Sequence, residues 1–200
     1  MKIKLCGMFR ECDIDFANEA KPDYIGFVMG FPKSHRNISP EFALSLKKRL
    51  SAEIKSVGVF VNAPIDFAAN AANSGAIDLI QLHGSEDDEY IAMLREKTSA
   101  PVIKAIKVRS ADDIANAPKL ADYLLLDNGT GTGKMFDHGI LSGIEVPKPF
   151  FLAGGLTPEN LADIPRNPLP YAVDLSSGIE TDKVKDKSKM LAAVQSARLL

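Results

Sequence analysis

Tryptophan is absent from this 200-residue chain, histidine occurs three times and cysteine twice. Cys6 and Cys12 are too few for a disulfide framework, and their spacing is not that of a C-x-x-C redox pair. No His or Cys cluster stands near them, so no metal site is expected. Long apolar runs are also missing. None approaches the length needed to span a bilayer, mean hydropathy is −0.03, and the first residues, MKIKLCGMFRECD, lack the apolar stretch of a signal peptide. Nor is one sign of charge in excess. With 26 acidic and 24 basic side chains, the net charge is −2, which gives no broad basic surface of the kind that duplex nucleic acid demands. The expectation is a reduced, cytoplasmic protein with neither nucleic acid nor membrane as partner, in which any bound anion is met by a local site.

What is present is an alternation. Hydrophobic residues make up 46% and charged residues 25%, enough to bury a substantial core. Runs rich in Val, Ile, Leu, Phe and Tyr predict strands at Lys2–Cys6, Tyr24–Met29, Ser56–Val61, Asp78–His83, Val102–Val108, Tyr123–Asp127, Pro149–Ala153 and Tyr171–Leu175. Helical spacing fills the intervals. Ser39-Pro40-Glu41 offers an N-cap with proline in the first turn, and Thr157-Pro158-Glu159 repeats it. Ser110-Ala-Asp-Asp113 is like a capping box with Asp in place of Glu. A last helix is predicted from about Lys185 to Leu199, with Met190, Leu191, Val194 and Ala197 on one face. Eight strands leave about 25 residues for each strand-and-helix unit. Such units give parallel strands with right-handed crossovers, either as an open doubly wound sheet or as a closed barrel. The count of eight favours the barrel, so the predicted fold class is α/β, one (βα)8 TIM barrel over residues 1–200.

In such a barrel the chemistry sits where the strands end and the following loops begin. Here Cys6 ends the first strand, Gln81 and His83 the fourth, Asp127 the sixth, and Asp174 with Ser176 the eighth. Alternation puts Gln81 with His83, and Asp174 with Ser176, on one face, so these polar ends converge on one mouth. Cys6 reads either as a small buried residue or as a thiolate at the pocket floor, with Lys4 on its strand face favouring ionisation. Asp127, after an apolar run, reads either as a cap for the glycine-rich segment that follows or as an acid whose pKa the pocket raises. A base and an acid on opposite sides of one barrel is the pairing that an aldose–ketose isomerisation requires.

Three glycine-bearing segments are candidates for holding phosphate: Asn128-Gly-Thr-Gly-Thr-Gly-Lys134, Ala153-Gly-Gly-Leu-Thr157 and Ser176-Ser-Gly-Ile-Glu180. The last two follow strands 7 and 8, where barrels commonly bind phosphate on backbone amides and a short helix N-terminus. The first is not a nucleotide-binding P-loop. Asn128 stands where its first glycine belongs, and Met135 follows Lys134 in place of Ser or Thr. Arg36, in the loop after strand 2, reads either as a solvated side chain or as a bidentate partner for a carboxylate. His35 and His138 are loop residues without an evident partner, and Cys12 reads as structural.

In this order the chain resembles the phosphoribosylanthranilate isomerase family of tryptophan biosynthesis. The resemblance rests on Lys4-Leu-Cys-Gly7, Gly26-Phe-Val-Met29, Pro32-Lys-Ser-His-Arg36, Val57-Gly-Val-Phe-Val-Asn62, Gln81-Leu-His-Gly84, Leu126-Asp127, Gly131-Thr-Gly-Lys-Met-Phe-Asp137, the segment from Leu152 to Asn160, and Val173-Asp-Leu-Ser-Ser-Gly-Ile-Glu180. It implies an Amadori rearrangement of a phosphoribosylated anthranilate, with Asp127 as general acid and Cys6 as general base. It further implies Arg36 for the anthranilate carboxylate or for orienting the acid, Asp174 for a ribose hydroxyl, and Gln81 and His83 as pocket-lining residues. Gly154, Gly155, Ser177 and Gly178 are implied as phosphate contacts. No organic cofactor or metal is implied, the partner is a small phosphosugar, and the assembly is a monomer or a homodimer. The chain departs from the pattern in four places. The loop after Asp127 is short, His138 stands where relatives commonly have Trp, Met8-Phe9 replaces Ile-Thr, and no Pro-Gly occurs near Thr181–Lys185, so a different start is expected for the helix supporting the phosphate. Two alternatives stay open: an isomerase or epimerase of another phosphosugar, and a barrel that binds phosphometabolites without turnover.

Overall fold

The computed structural model describes residues 1–127, 141 and 144–200. Eight parallel strands are arranged in chain order: β1 (Lys2–Cys6), β2 (Tyr24–Met29), β3 (Lys55–Phe60), β4 (Leu79–Leu82), β5 (Val102–Lys107), β6 (Tyr123–Asp127), β7 (Phe150–Leu152) and β8 (Ala172–Leu175). Each pairs with the next, and β1 pairs with both β2 and β8, so the sheet closes into a barrel. The strands fall within a residue or two of their predicted bounds. One further two-residue strand, Asn37–Ile38, pairs with Val28 and Met29 of β2. It runs along the edge of β2 beyond the point where β1 ends opposite Gly26, and so carries Arg36 above the end of β1.

The helices α1 (Glu11–Ala20), α2 (Pro40–Lys47), α3 (Ile65–Asn73), α4 (Asp88–Arg95), α5 (Ala111–Ala115) and α6 (Lys187–Arg198) connect or follow the strands. The predicted caps hold at Ser39, whose hydroxyl accepts from the Phe42 amide, and at Ser110 with Asp113. The Thr157-Pro158-Glu159 start does not open an α-helix. Only a 3-10 turn at Leu161–Asp163 follows it, because Pro165, Pro168 and Pro170 remove the amides and the φ/ψ freedom that a longer helix needs. The last helix begins later than predicted, at Lys187 with Asp186 as its cap. Residues Glu180–Thr181 and Val184–Lys185 form a small hairpin ahead of it. Its two turn residues, Asp182 and Lys183, both have positive φ, as a tight I′ turn requires. This hairpin stands where the resemblance leads one to expect Pro-Gly.

Side chains alternate between the barrel interior and the helix-facing surface. The outward set (Ile3, Leu5, Ile25, Phe27, Ile80 and Leu82 among them) packs under the helices in the main core. Inside, Tyr24, Val57, Leu79, Ile103, Leu125, Phe151 and Ala172 form a second cluster. Phe151 packs edge-on against Tyr24, Tyr123 and Tyr171. This aromatic layer fills the end where the strands begin and leaves polar side chains at the end where they finish. Among the described residues, no helix is long and apolar enough to cross a membrane. The glycine-rich segment Asn128–Lys134, the Gly131–Asp137 motif and His138 lie outside the described residues.

Candidate active site

Lys4 and Cys6 share the inner face of β1, two residues apart, and the β1–β8 register sets Lys4 opposite Asp174. Lys4 is fully buried, and its Nζ donates to Asp174 Oδ2 at 2.8 Å. The same ammonium acts electrostatically on Cys6, two residues along the strand. Burial works against the Lys4 charge, but Asp174 and Cys6 beside it outweigh burial and hold its pKa above the usual lysine value. For Cys6 the balance is reversed. Burial pushes the thiol up and Asp174 adds to this, while Lys4 pulls it down without prevailing. Lys4 thus favours the thiolate as expected, yet the resting group is a thiol. Gly26 provides the space: a β-carbon there would lie 2.6 Å from Cys6 Sγ and 3.3 Å from Lys4 Cε. Asp174 Oδ1 is buried and has no hydrogen-bond partner.

Arg36 reaches the mouth over Gly7, which has φ of +85° and no side chain to block it. Its Nε and Nη2 donate to Glu180 Oε1 and Oε2 at 2.7 and 2.6 Å. The bidentate edge of the guanidinium is therefore held by a protein carboxylate, and Nη1 is the nitrogen that Glu180 does not engage. Lys185 donates to Glu180 Oε1 at 2.6 Å and to the Ser176 carbonyl at 3.0 Å. Against the cost of burial, Arg36 and Lys185 hold the Glu180 carboxyl down at about 2. The sequence singled out neither Glu180 nor Lys185 as a site residue: Glu180 stood there only as the end of the Ser176–Glu180 segment and Lys185 as the start of the last helix, and the hairpin is what brings both to Arg36. His35 also has partners, edge-on packing with Phe9 and a contact of 3.2 Å from Nε2 to the Lys183 carbonyl. Cys12 makes only a long contact with Asp13.

Across the barrel, Gln81 Nε2 is 3.0 Å from His83 Nδ1, and His83 Nε2 is 3.6 Å from Asp127 Oδ2. Gln81 is buried, whereas His83 and Asp127 are partly open to the mouth. The loop carrying His83 is clamped from below. Lys104 Nζ donates to the Gly84 carbonyl at 2.6 Å and to Glu86 Oε2 at 3.0 Å. Glu86 in turn accepts from the Asn62 and Gly84 amides. A buried lysine and a buried glutamate, each satisfied by several partners, fix the loop without a stray charge.

The loops after β7 and β8 approach each other closely. Gly154 and Gly155 both have positive φ, a conformation that favours glycine, and a one-turn 3-10 helix spans Ser177–Ile179. Among the described residues, the amides of Gly154, Gly155, Ser177 and Gly178 donate to no backbone acceptor, which is the condition of an anion cradle. A β-carbon on Gly178 would run into the Leu156 carbonyl oxygen, so glycine there is what lets the two loops meet. A cavity of about 320 Å³ opens at this end of the barrel. Cys6, Arg36, Gln81, His83, Asp127, Asp174, Gly154, Gly155 and Ser177 all line it, whereas Gly178, expected as a phosphate contact, is not among its lining residues. An acid, a thiol, a guanidinium and a cluster of unpaired amides thus face one space of small-metabolite size.

The family model described as N-(5'phosphoribosyl)anthranilate (PRA) isomerase matches residues 3–196. The chain is 46% identical over 204 residues to an N-(5'-phosphoribosyl)anthranilate isomerase of Endomicrobium trichonymphae, with 100% of this chain and 99% of that protein covered. The crystal structure of phosphoribosyl anthranilate isomerase from Thermus thermophilus superposes with a TM-score of 0.86 at 31% identity, covering 100% of this chain and 99% of that one. A second structure, of a phosphoribosyl anthranilate isomerase in complex with reduced 1-(o-carboxyphenylamino)-1-deoxyribulose 5-phosphate, gives 0.82 at 32% identity, with 100% of both chains covered.

Proposed function

The chain belongs to the N-(5'-phosphoribosyl)anthranilate isomerase family of tryptophan biosynthesis, and from that premise we propose that Asp127 and Cys6 are the acid and the base of its isomerisation. The reaction converts N-(5-phosphoribosyl)anthranilate to 1-(2-carboxyphenylamino)-1-deoxyribulose 5-phosphate, the third step from chorismate. Asp127 gives its proton to the furanose ring oxygen. The C1–O bond breaks with its electron pair on oxygen, and the amine lone pair closes a C1–N double bond. Cys6 then takes the C2 proton; the released pair forms a C1–C2 double bond and the nitrogen regains its lone pair, giving an enolamine. Tautomerisation of the enolamine yields the ketone. Both steps are proton transfers aided by charge placement.

The observation that carries this reading is that Cys6 and Asp127 line one cavity with the unpaired amides of loops 7 and 8. Those amides, from Gly154, Gly155, Ser177 and Gly178, suit the substrate phosphate. Asp174 Oδ1, buried and unpartnered, suits a ribose hydroxyl. Arg36 offers Nη1 to the anthranilate carboxylate, with Glu180 holding the rest of its fork. The resting thiol of Cys6 becomes a usable base through Lys4, whose ammonium is already in place to balance a thiolate.

The test is loss of anthranilate-type fluorescence when the purified protein meets freshly generated phosphoribosylanthranilate. Decay is expected with the wild type, and a fall of about two orders of magnitude or more with Cys6→Ser and with Asp127→Asn. Full turnover in either variant removes that residue from its role.

A further inference from the structure

Gln81 is a buried amide side chain that lines the cavity, and its two ends have different fates. Nε2 meets His83 Nδ1 at 3.0 Å. Among the described residues, Oε1 faces no donor, although it is buried. A buried acceptor without a partner is uncommon and costly in a folded protein, and here the acceptor belongs to a side chain that lines the cavity. The geometry points to Gln81 as a positioning residue for the acid step: it fixes the tautomer of His83 that faces Asp127, and it keeps Oε1 for a hydroxyl or amine hydrogen of the substrate.

An amide NH₂ only donates, so a ring nitrogen bonded to it must accept. That places the proton of neutral His83 on Nε2, the nitrogen 3.6 Å from Asp127 Oδ2. The separation is beyond a hydrogen bond, and catalytic contacts of this kind commonly tighten when substrate binds. Before proton transfer the acid is neutral and gains little from a neutral donor. Once Asp127 has given its proton to the ring oxygen, it is a carboxylate, and His83 Nε2–H then meets a full negative charge. The contact strengthens as charge develops, which is the condition for lowering the barrier rather than merely binding. No bond to His83 forms or breaks.

This inference rests on Asp127 as the acid, but its first test does not. Long-range ¹⁵N–¹H correlation spectra of the resting protein report which ring nitrogen of each histidine carries the proton. His83 is distinguished from His35 and His138 by its loss in His83→Asn. The expected result is a protonated Nε2 and a bare Nδ1; a proton on Nδ1 overturns the proposal. Gln81→Met removes both polar ends while filling the space. It should leave His83 as a mixture of tautomers, lower kcat by about tenfold or more and raise KM. A mixed tautomer with unchanged kcat overturns the link to the acid step. Asp127→Asn with full turnover, by contrast, removes the acid assignment while leaving the tautomer as measured.

Discussion

Lys4 and Asp174 stand directly across from each other in the β1–β8 register, and their side chains meet at 2.8 Å inside the barrel, with Lys4 fully buried and Asp174 reaching the cavity by an edge. An ammonium with no water around it depends on this carboxylate, and Asp174 depends on Lys4 in return. Deleting one partner strands the other, which is far more costly than never having placed the pair.

Lys4→Met should therefore destabilise the fold by about 3–5 kcal/mol, read as a lower midpoint in urea unfolding. Replacing both partners, as in Lys4→Met with Asp174→Leu, should restore a good part of that loss. An unchanged midpoint in the single variant would mean that Asp174 finds another donor.

Glu180 gives the fold an acid-sensitive element. Its carboxyl sits at about 2, against an ordinary value of 4.5. Because the folded value is the lower one, the stabilisation is complete above about pH 4.5 and drains away as pH falls towards 2. The difference corresponds to about 3 kcal/mol. Wild-type unfolding free energy should drop across that window, and Glu180→Gln should show a shallower drop from a lower starting point. Parallel curves for the two proteins would sink the idea.

The barrel was legible because each strand is an apolar run closed by polar or turn residues, and because eight of them fit the length. Cys6, Asp127 and Asp174 were legible for the same reason: a reactive group at the end of an apolar run can only face the mouth or break the core. Glu180 and Lys185 follow no such run. Their partners are Arg36, 144 residues away, and a hairpin whose I′ turn uses Asp182 and Lys183, residues with no strong turn signature together. Thr157-Pro158-Glu159 misled in the opposite way, since a sound local start was overruled by the three prolines that follow it.

Gly178→Ala tests the meeting of loops 7 and 8. The added carbon collides with the Leu156 carbonyl, and backbone cannot swing aside as a side-chain tip does. The loops should part, with a loss of about 1–3 kcal/mol in stability and a higher KM at nearly unchanged kcat, because the proposed phosphate cradle is displaced while Cys6 and Asp127 stay on their strands. A fall in kcat alone would show that these loops act on the chemistry rather than on binding.

With Cys6 as the proposed base, a pH dependence of turnover follows from its thiol. Burial holds its thiol above the ordinary range and Lys4 only partly offsets this, so near neutrality a small fraction is thiolate. Below the thiol pKa that fraction grows about tenfold per pH unit. The log of kcat should therefore climb with a slope near one from neutrality to beyond pH 8, while Asp127 holds its proton in the complex. Cys6→Asp supplies a base already ionised at neutral pH, and the alkaline climb should vanish in that variant even where its absolute rate is lower. Lys4→Met, where it folds, should move the climb to still higher pH, since the larger of the two lysine effects opposing burial is gone and only Lys185 is left to pull the thiol down. A wild-type profile flat from pH 6 to 9 would mean that bound substrate lowers the thiol pKa, and measuring kcat/KM beside kcat would separate the free enzyme's titration from that of the complex.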